Sequence, residues 1–169
     1  MDAHGTEAAR RTWPLTPTAA GEPGRPLHLG TLCAPLEAVC TDVFFLDLAL
    51  YDGAGTPLAG NRYLCSRTTD LAPLLDLPPA RIEAVAEPHE GSDDRGRIRL
   101  RHVDGPAATG LLLEDARPYD RPGWAVFGDN VIDLLPGEET SVDVVWREAP
   151  PDDRVVRVSG WNTGERHVR

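Results

Sequence analysis

With 169 residues, 41% of them hydrophobic and 26% charged, the chain has room for one complete domain and part of another, at ordinary globular composition. A formal net charge of −10 excludes the basic stripe that nucleic-acid recognition needs and the cationic face that anionic membranes attract. No apolar run approaches the roughly 20 residues of a membrane-spanning helix, and sixteen Gly with sixteen Pro favour turns and short strands over long helices.

Residues 1–26 are rich in Pro and Gly without periodicity and are expected to form a loop or disordered leader. The stretch MDAHGTEAARRTWPLTP has no apolar signal core, so the expected location is cytoplasmic. Residues 27–67 read as the terminal strands of an incomplete sandwich. A short alternation at Leu27 and Leu29 suggests one strand. Residues 42–52 put Phe44, Leu46, Leu48 and Leu50 on one face and Val43, Phe45, Ala49 and Tyr51 with Asp47 on the other, a pattern that predicts cover on both sides. Gly53-Ala54-Gly55 turns the chain into a partner strand over 58–67, a hairpin. Residues 68–79 read as a Pro-rich linker with a short capped helical turn at 69–75, closed by Pro78-Pro79, which sets a domain boundary near residue 79.

Residues 80–169 alternate more regularly. Ile82, Ala84 and Ala86 share a face; Ile98 and Leu100 point inward between Arg97, Arg99 and Arg101; residues 111–113 make a third strand and 125–135 one or two more. Residues 141–147 bury Val142, Val144 and Trp146 on one side, and a last strand runs over 155–161. Trp146 and Trp161 are therefore assigned to strands, Trp13 and Trp124 to loop-like sequence. Six or seven short strands separated by Gly, Pro and Asp turns predict an all-β fold, an immunoglobulin-like antiparallel β-sandwich preceded by a partial sandwich hairpin.

Chemistry is sparse. The five histidines are dispersed, so no metal site is expected, and His102, which continues the inward row of Ile98 and Leu100, reads as a core or edge histidine. No nucleophile elbow or phosphate loop is present. Ser66 and Ser159 fall in strands, where a hydroxyl usually bonds to backbone. The acidic pairs Asp93-Asp94, in the EGSDDRG loop, and Glu138-Glu139, after the Pro136-Gly137 turn, both read as solvated, with nothing to raise one carboxyl for acid catalysis. Cys33, Cys40 and Cys65 have no metal-type spacing. Half-buried thiols in a reducing compartment or a Cys33–Cys40 bridge are both compatible with them. All seventeen basic residues are Arg. One loop offers ligand contacts: Tyr119, Asp120, Arg121 and Trp124 lie in the segment joining two strands at a sandwich end, where side chains are free of packing duty. The alternative is that Trp124 folds over the sandwich edge and shields it.

Two blocks carry a family likeness. The pattern L-x-D-x-x-G-x-x-L-x-x-N-x-Y falls on Leu50, Asp52, Gly55, Leu58, Asn61 and Tyr63, followed by DLAPLLDLP; GPAATGLLLED with WAVFGDNVIDLLPGEETSVDVVW forms the second block. Together they resemble the C-terminal immunoglobulin-like domains of β-mannosidase-type enzymes in glycoside hydrolase family 2. Where many relatives show an Asn-Thr-Gly turn, this chain has Val103-Asp104-Gly105-Pro106.

The resemblance implies a retaining glycosidase whose two catalytic Glu sit on a barrel, the acid/base Glu following an Asn. A barrel takes about 250 residues, and none of the eleven glutamates here follows an Asn. No catalytic residue is carried over. The resemblance thus implies a non-catalytic C-terminal accessory region, without cofactor, whose partners are a catalytic barrel and the other domains of a glycosidase, in cis or as a separate chain. The parent is a mannosidase or an exo-glucosaminidase. A stand-alone carbohydrate-binding or protein-interaction module, with oligosaccharide as partner, is the alternative, and an independent small enzyme the third.

Overall fold

A computed structural model describes residues 1–15, 37, 39, 41–89 and 91–169. The strand expected over 27–32 and the residues Cys33 and Cys40 lie outside the described residues. Cys65 is half-buried and its thiol is free. The chain divides into two compact units: Met1–Asp2 with Thr6–Thr69, and Ala3–Gly5 with Asp70–Arg169.

The first unit is built on an antiparallel hairpin of β1 (Val43–Tyr51) and β2 (Pro57–Ser66), in the register Phe44↔Cys65, Leu46↔Tyr63 and Leu48↔Asn61. Its turn is set by Asp52, whose Oδ1 accepts the N–H groups of Ala54 and Thr56 at 2.9 and 2.8 Å, and by Gly55 at φ 85°. The free edge of β1 is met by Met1 and Asp2: Phe45 N–H donates to the Met1 carbonyl at 2.8 Å, and Asp2 bridges Phe44. Cover on both faces reaches only Val43, Phe44 and Phe45; from Asp47 to Tyr51 the strand is exposed. The expected two-sided burial therefore fails over its distal half. Two strands supply one ladder, among the described residues no second layer covers that half, and Leu48, Leu50, Tyr51, Leu58 and Tyr63 are exposed.

The second unit is a β-sandwich of two four-stranded antiparallel sheets. One contains β3 (Arg81–His89), β4 (Ser92–Asp104), β6 (Trp124–Phe127) and β8 (Glu139–Arg147), in the order β3-β4-β8-β6. The other contains β5 (Ala108–Asp115), β7 (Ile132–Leu134), β9 (Val156–Gly160) and β10 (Thr163–Val168), in the order β10-β9-β5-β7. Alternation places Ile82, Ile98, Leu100, Val142, Val144 and Trp146 of the first sheet against Leu111, Leu113, Leu134, Val156 and Val158 of the second. On the outer face Arg97, Arg99 and Arg101 pair across strands with Asp143, Glu87 and Glu83 at 3.1, 2.7 and 2.5 Å. His102 is buried, its Nε2–H donating to the Pro106 carbonyl at 2.7 Å while Nδ1 accepts Gly137 N–H at 3.4 Å.

Four local expectations change. The 69–75 turn is a 3-10 helix over Ala72–Asp76, with Asp70 Oδ1 accepting Ala72 N–H at 2.8 Å. It clusters with the second unit, and Leu74 is buried. The division between units thus falls at Thr69/Asp70 instead of at the prolyl pair. Asp93 and Asp94 lie within β4, which begins at Ser92 because its partner β3 runs on to His89. Trp161 sits in the β9–β10 turn, half exposed, and not in a strand. Beside it Asn162 is buried: its side chain accepts Thr109 N–H at 3.1 Å and donates to the carbonyls of Ala107 and Pro78 at 2.8 and 3.3 Å. This Asn fixes both the β9–β10 turn and the segment entering β3, and the final strand β10 follows from it.

Candidate functional site

The loop between β5 and β6 is held from within by an ion pair. Arg117 grips Asp115 with Nε to Oδ1 at 2.9 Å and an Nη to Oδ2 at 2.7 Å, and also donates to the carbonyls of Pro122 and Gly123. Asp115 Oδ2 in turn accepts the N–H of Ala125 at 3.0 Å, anchoring the start of β6. Burial acts to raise the Asp115 carboxyl, but the Arg117 guanidinium and the two backbone donors outweigh it and hold the carboxyl below the usual range. The Arg117 guanidinium is raised by the same partner and lies 5.9 Å over the Trp146 ring, as does that of Arg154.

Next along the chain, Gly123 at φ 90° passes so close to the end of β8 that a Cβ there would lie 2.3 Å from the Arg147 carbonyl and 2.6 Å from the Glu148 carbonyl carbon. Only glycine permits that approach. Trp124 consequently pairs with Arg147 on the sheet edge, next to Glu148, which itself adopts φ 54°. Together with Asp94, Trp146, Ala149, Pro150 and Arg154 these residues line an open groove of about 570 Å3.

Of the four residues expected to contact a ligand, the structure brings only Trp124 to this groove, with its ring half exposed. Tyr119 is fully exposed, Asp120 is exposed, and Arg121 reaches toward Asp153 at 3.9 Å. The groove recruits residues that the sequence reading passed over. Asp94 is solvent-exposed, as the sequence implies, but lies on β4; Ser92 donates to its Oδ1 at 2.5 Å, the main cause of a carboxyl held below the usual range, and Arg147 lies 4.0 Å away. Glu148 carried no sequence signal of its own, but a Gly directly before an aromatic at a strand start marks a close backbone approach. The pair Glu138-Glu139 serves the fold: Glu138 accepts Leu135 N–H at 2.9 Å and Glu139 lies 3.5 Å from Arg99. Among the described residues no group of three His, Cys, Asp or Glu is placed to hold a metal ion, and no helix is long and apolar enough to cross a membrane.

Two antiparallel four-stranded sheets packed face to face, with irregular loops gathered at an edge, define an immunoglobulin-type sandwich. The chain belongs to the exo-β-D-glucosaminidase Ig-fold domain family, whose model matches residues 61–163. It is 28% identical over 165 residues to an exo-β-D-glucosaminidase of Streptomyces avermitilis, a match covering 82% of this chain and 18% of that protein. An exo-β-D-glucosaminidase of Amycolatopsis orientalis is 30% identical over 111 residues, covering 61% of this chain and 11% of the other. The crystal structure of an Amycolatopsis orientalis exo-chitosanase superposes with a TM-score of 0.59 at 23% identity, over 76% of this chain and 18% of that one. The chain spans less than a fifth of the length of these relatives. The likeness seen in the sequence therefore resolves to the Ig-fold domain of a family 2 glycosidase in its exo-glucosaminidase form.

Proposed function

We propose that this chain is a non-catalytic C-terminal accessory region of a family 2 exo-β-D-glucosaminidase, which supports a catalytic barrel in cis or as a separate chain. The observation that carries this reading is the match of a family model over residues 61–163, in a chain that corresponds to only 18% of its Streptomyces avermitilis relative. The sandwich agrees with it, since the acidic pairs weighed for catalysis are engaged otherwise: Asp94 by Ser92, Glu138 by the Leu135 N–H and Glu139 by Arg99. Glucosaminidase parentage is preferred to mannosidase because both named relatives are exo-β-D-glucosaminidases.

Purified alone, the chain is expected to turn over neither aryl β-glucosaminides nor aryl β-mannosides. Combined with the barrel-containing portion of a related exo-β-D-glucosaminidase, it is expected to raise that portion's melting temperature and glucosaminidase activity. Turnover by the isolated chain that a single Glu→Gln change abolishes would sink the proposal, and stronger stabilisation of a β-mannosidase barrel portion than of the glucosaminidase one would reverse the parentage. A second reading, a carbohydrate-binding module, is favoured by one specific feature, the half-exposed Trp124 ring on a groove with charged walls.

A further inference from the structure

We infer that the groove at Trp124 is a subsite for a glucosamine-type amino sugar, with the apolar face of the pyranose on the Trp124 indole and its ammonium group against the Glu148 carboxylate. The choice of sugar rests on the glucosaminidase reading; the groove and its charges stand without it.

The charge balance in the groove selects Glu148. Its lining holds two carboxylates, Asp94 and Glu148, and two guanidinia, Arg147 and Arg154. Asp94 and Arg147 face each other at 4.0 Å and largely cancel. Arg154 is occupied: its Nε donates to the Ala149 carbonyl at 3.1 Å, an Nη donates to the Asp93 carbonyl, and its guanidinium lies 5.9 Å over the Trp146 ring. Among the described residues Glu148, which is exposed and directly follows Arg147, has no ion pair. It is the one lining carboxylate left to meet an incoming cation.

Ring and carboxylate line the same groove because the backbone brings the start of β6 against the end of β8. Gly123 lies against the Arg147–Ala149 backbone, and Trp124 is in register with Arg147. An indole offers an amphipathic face to a sugar ring and attracts a cation over the same face, so one aromatic serves both parts of an amino sugar. A neutral or N-acetylated sugar keeps the stacking and loses the ion pair. Because the groove is open and its charges are solvated, the ion pair adds little absolute affinity; binding in the millimolar range, about −4 kcal/mol, is expected.

The test uses the full chain, labelled with nitrogen-15, titrated with the β-1,4-linked glucosamine trimer, its N-acetylated counterpart and β-1,4-mannotriose. Four tryptophans give four indole N–H signals, and Trp124→Phe identifies that of Trp124 by its loss. The glucosamine trimer is expected to shift the Trp124 signal saturably and to bind at least fivefold more tightly than the N-acetylated trimer. Glu148→Gln should erase that preference while leaving the acetylated trimer's affinity unchanged, and the preference should fade as pH rises through titration of the sugar amine. Trp124→Ala should weaken all three ligands at least tenfold. Equal binding of amine and acetamide, saturation without a Trp124 shift, or an intact preference in Glu148→Gln would each overturn the inference. Failure here with a raised melting temperature of the glucosaminidase barrel portion in the presence of the chain removes only the subsite. Selective binding of mannotriose at Trp124 removes the amino-sugar assignment and counts against the parentage as well.

Discussion

Single residues in the sandwich act mainly by holding backbone in place. Asp115 accepts donors from Arg117 and Ala125 and joins the end of β5 to the start of β6. Its carboxyl titrates below the unfolded value of about 3.9. The folded state therefore binds the proton less readily than the unfolded chain, so the stabilisation is complete above the unfolded value and is lost as pH falls through the folded one. Stability of the wild-type chain should decline on acidification below about pH 4, and Asp115→Asn should flatten part of that decline while lowering stability at neutral pH. Urea titrations at pH 7, 4 and 3 check both effects; an unchanged acid slope in the variant would mean that the pair contributes nothing. Asp52, Glu83 and Asp94 are also held low by their partners, so the slope should shrink without vanishing. Asn162 shows the same logic with a neutral group, since one buried amide meets a donor and two acceptors from two backbone segments, Ala107–Thr109 and Pro78, that would otherwise be unsatisfied.

At the scale of elements, alternation decides which strands bury a face, and pairing decides where they begin and end. The 3-10 helix Ala72–Asp76 is too short to be stable by itself, yet it buries Leu74 and clusters with the sandwich. A fragment comprising residues 70–169 is therefore expected to be more stable than one comprising 80–169. Loss of the buried Leu alone costs about 1.5–3 kcal/mol, and loss of Pro78 removes an acceptor for buried Asn162. Chemical denaturation of the two fragments measures the difference; equal midpoints would show that the helical turn is a passive linker.

For the whole chain, the contrast is between a sandwich with a closed core and a hairpin that has no opposing layer among the described residues. In the first unit, Leu48, Leu50, Leu58, Tyr51 and Tyr63 are exposed on two strands. Such a surface tends to recruit a partner or to self-associate. The isolated fragment 1–69 is thus expected to sediment as oligomers or to lack a cooperative melt, whereas 70–169 should be monomeric and melt cooperatively. Analytical ultracentrifugation with calorimetry separates these outcomes, and a monomeric, cooperatively melting 1–69 would refute the expectation. The net charge of −10 works in the opposite sense, opposing association by self-repulsion at low salt.

What the sequence determined by itself was whatever depends on local period and turn chemistry. The inward rows Ile98–Leu100–His102 and Val142–Val144–Trp146, the Asp52–Gly55 hairpin and the sandwich class were all legible, because side-chain alternation and left-handed glycines are local properties. Tertiary structure alone decided where Asp94, Trp124 and Glu148 meet. These residues come from strand ends and a loop far apart in sequence, and the close pass of Gly123 over Arg147–Ala149 depends on β6 pairing with β8. It also decided that Tyr119, Asp120 and Arg121 stay away from the groove, because Arg117 folds inward onto Asp115 and sets the course of the loop. The distal half of β1 shows the complementary limit: its apolar pattern is written in the sequence, but burial needs a second layer, and a hairpin does not supply one.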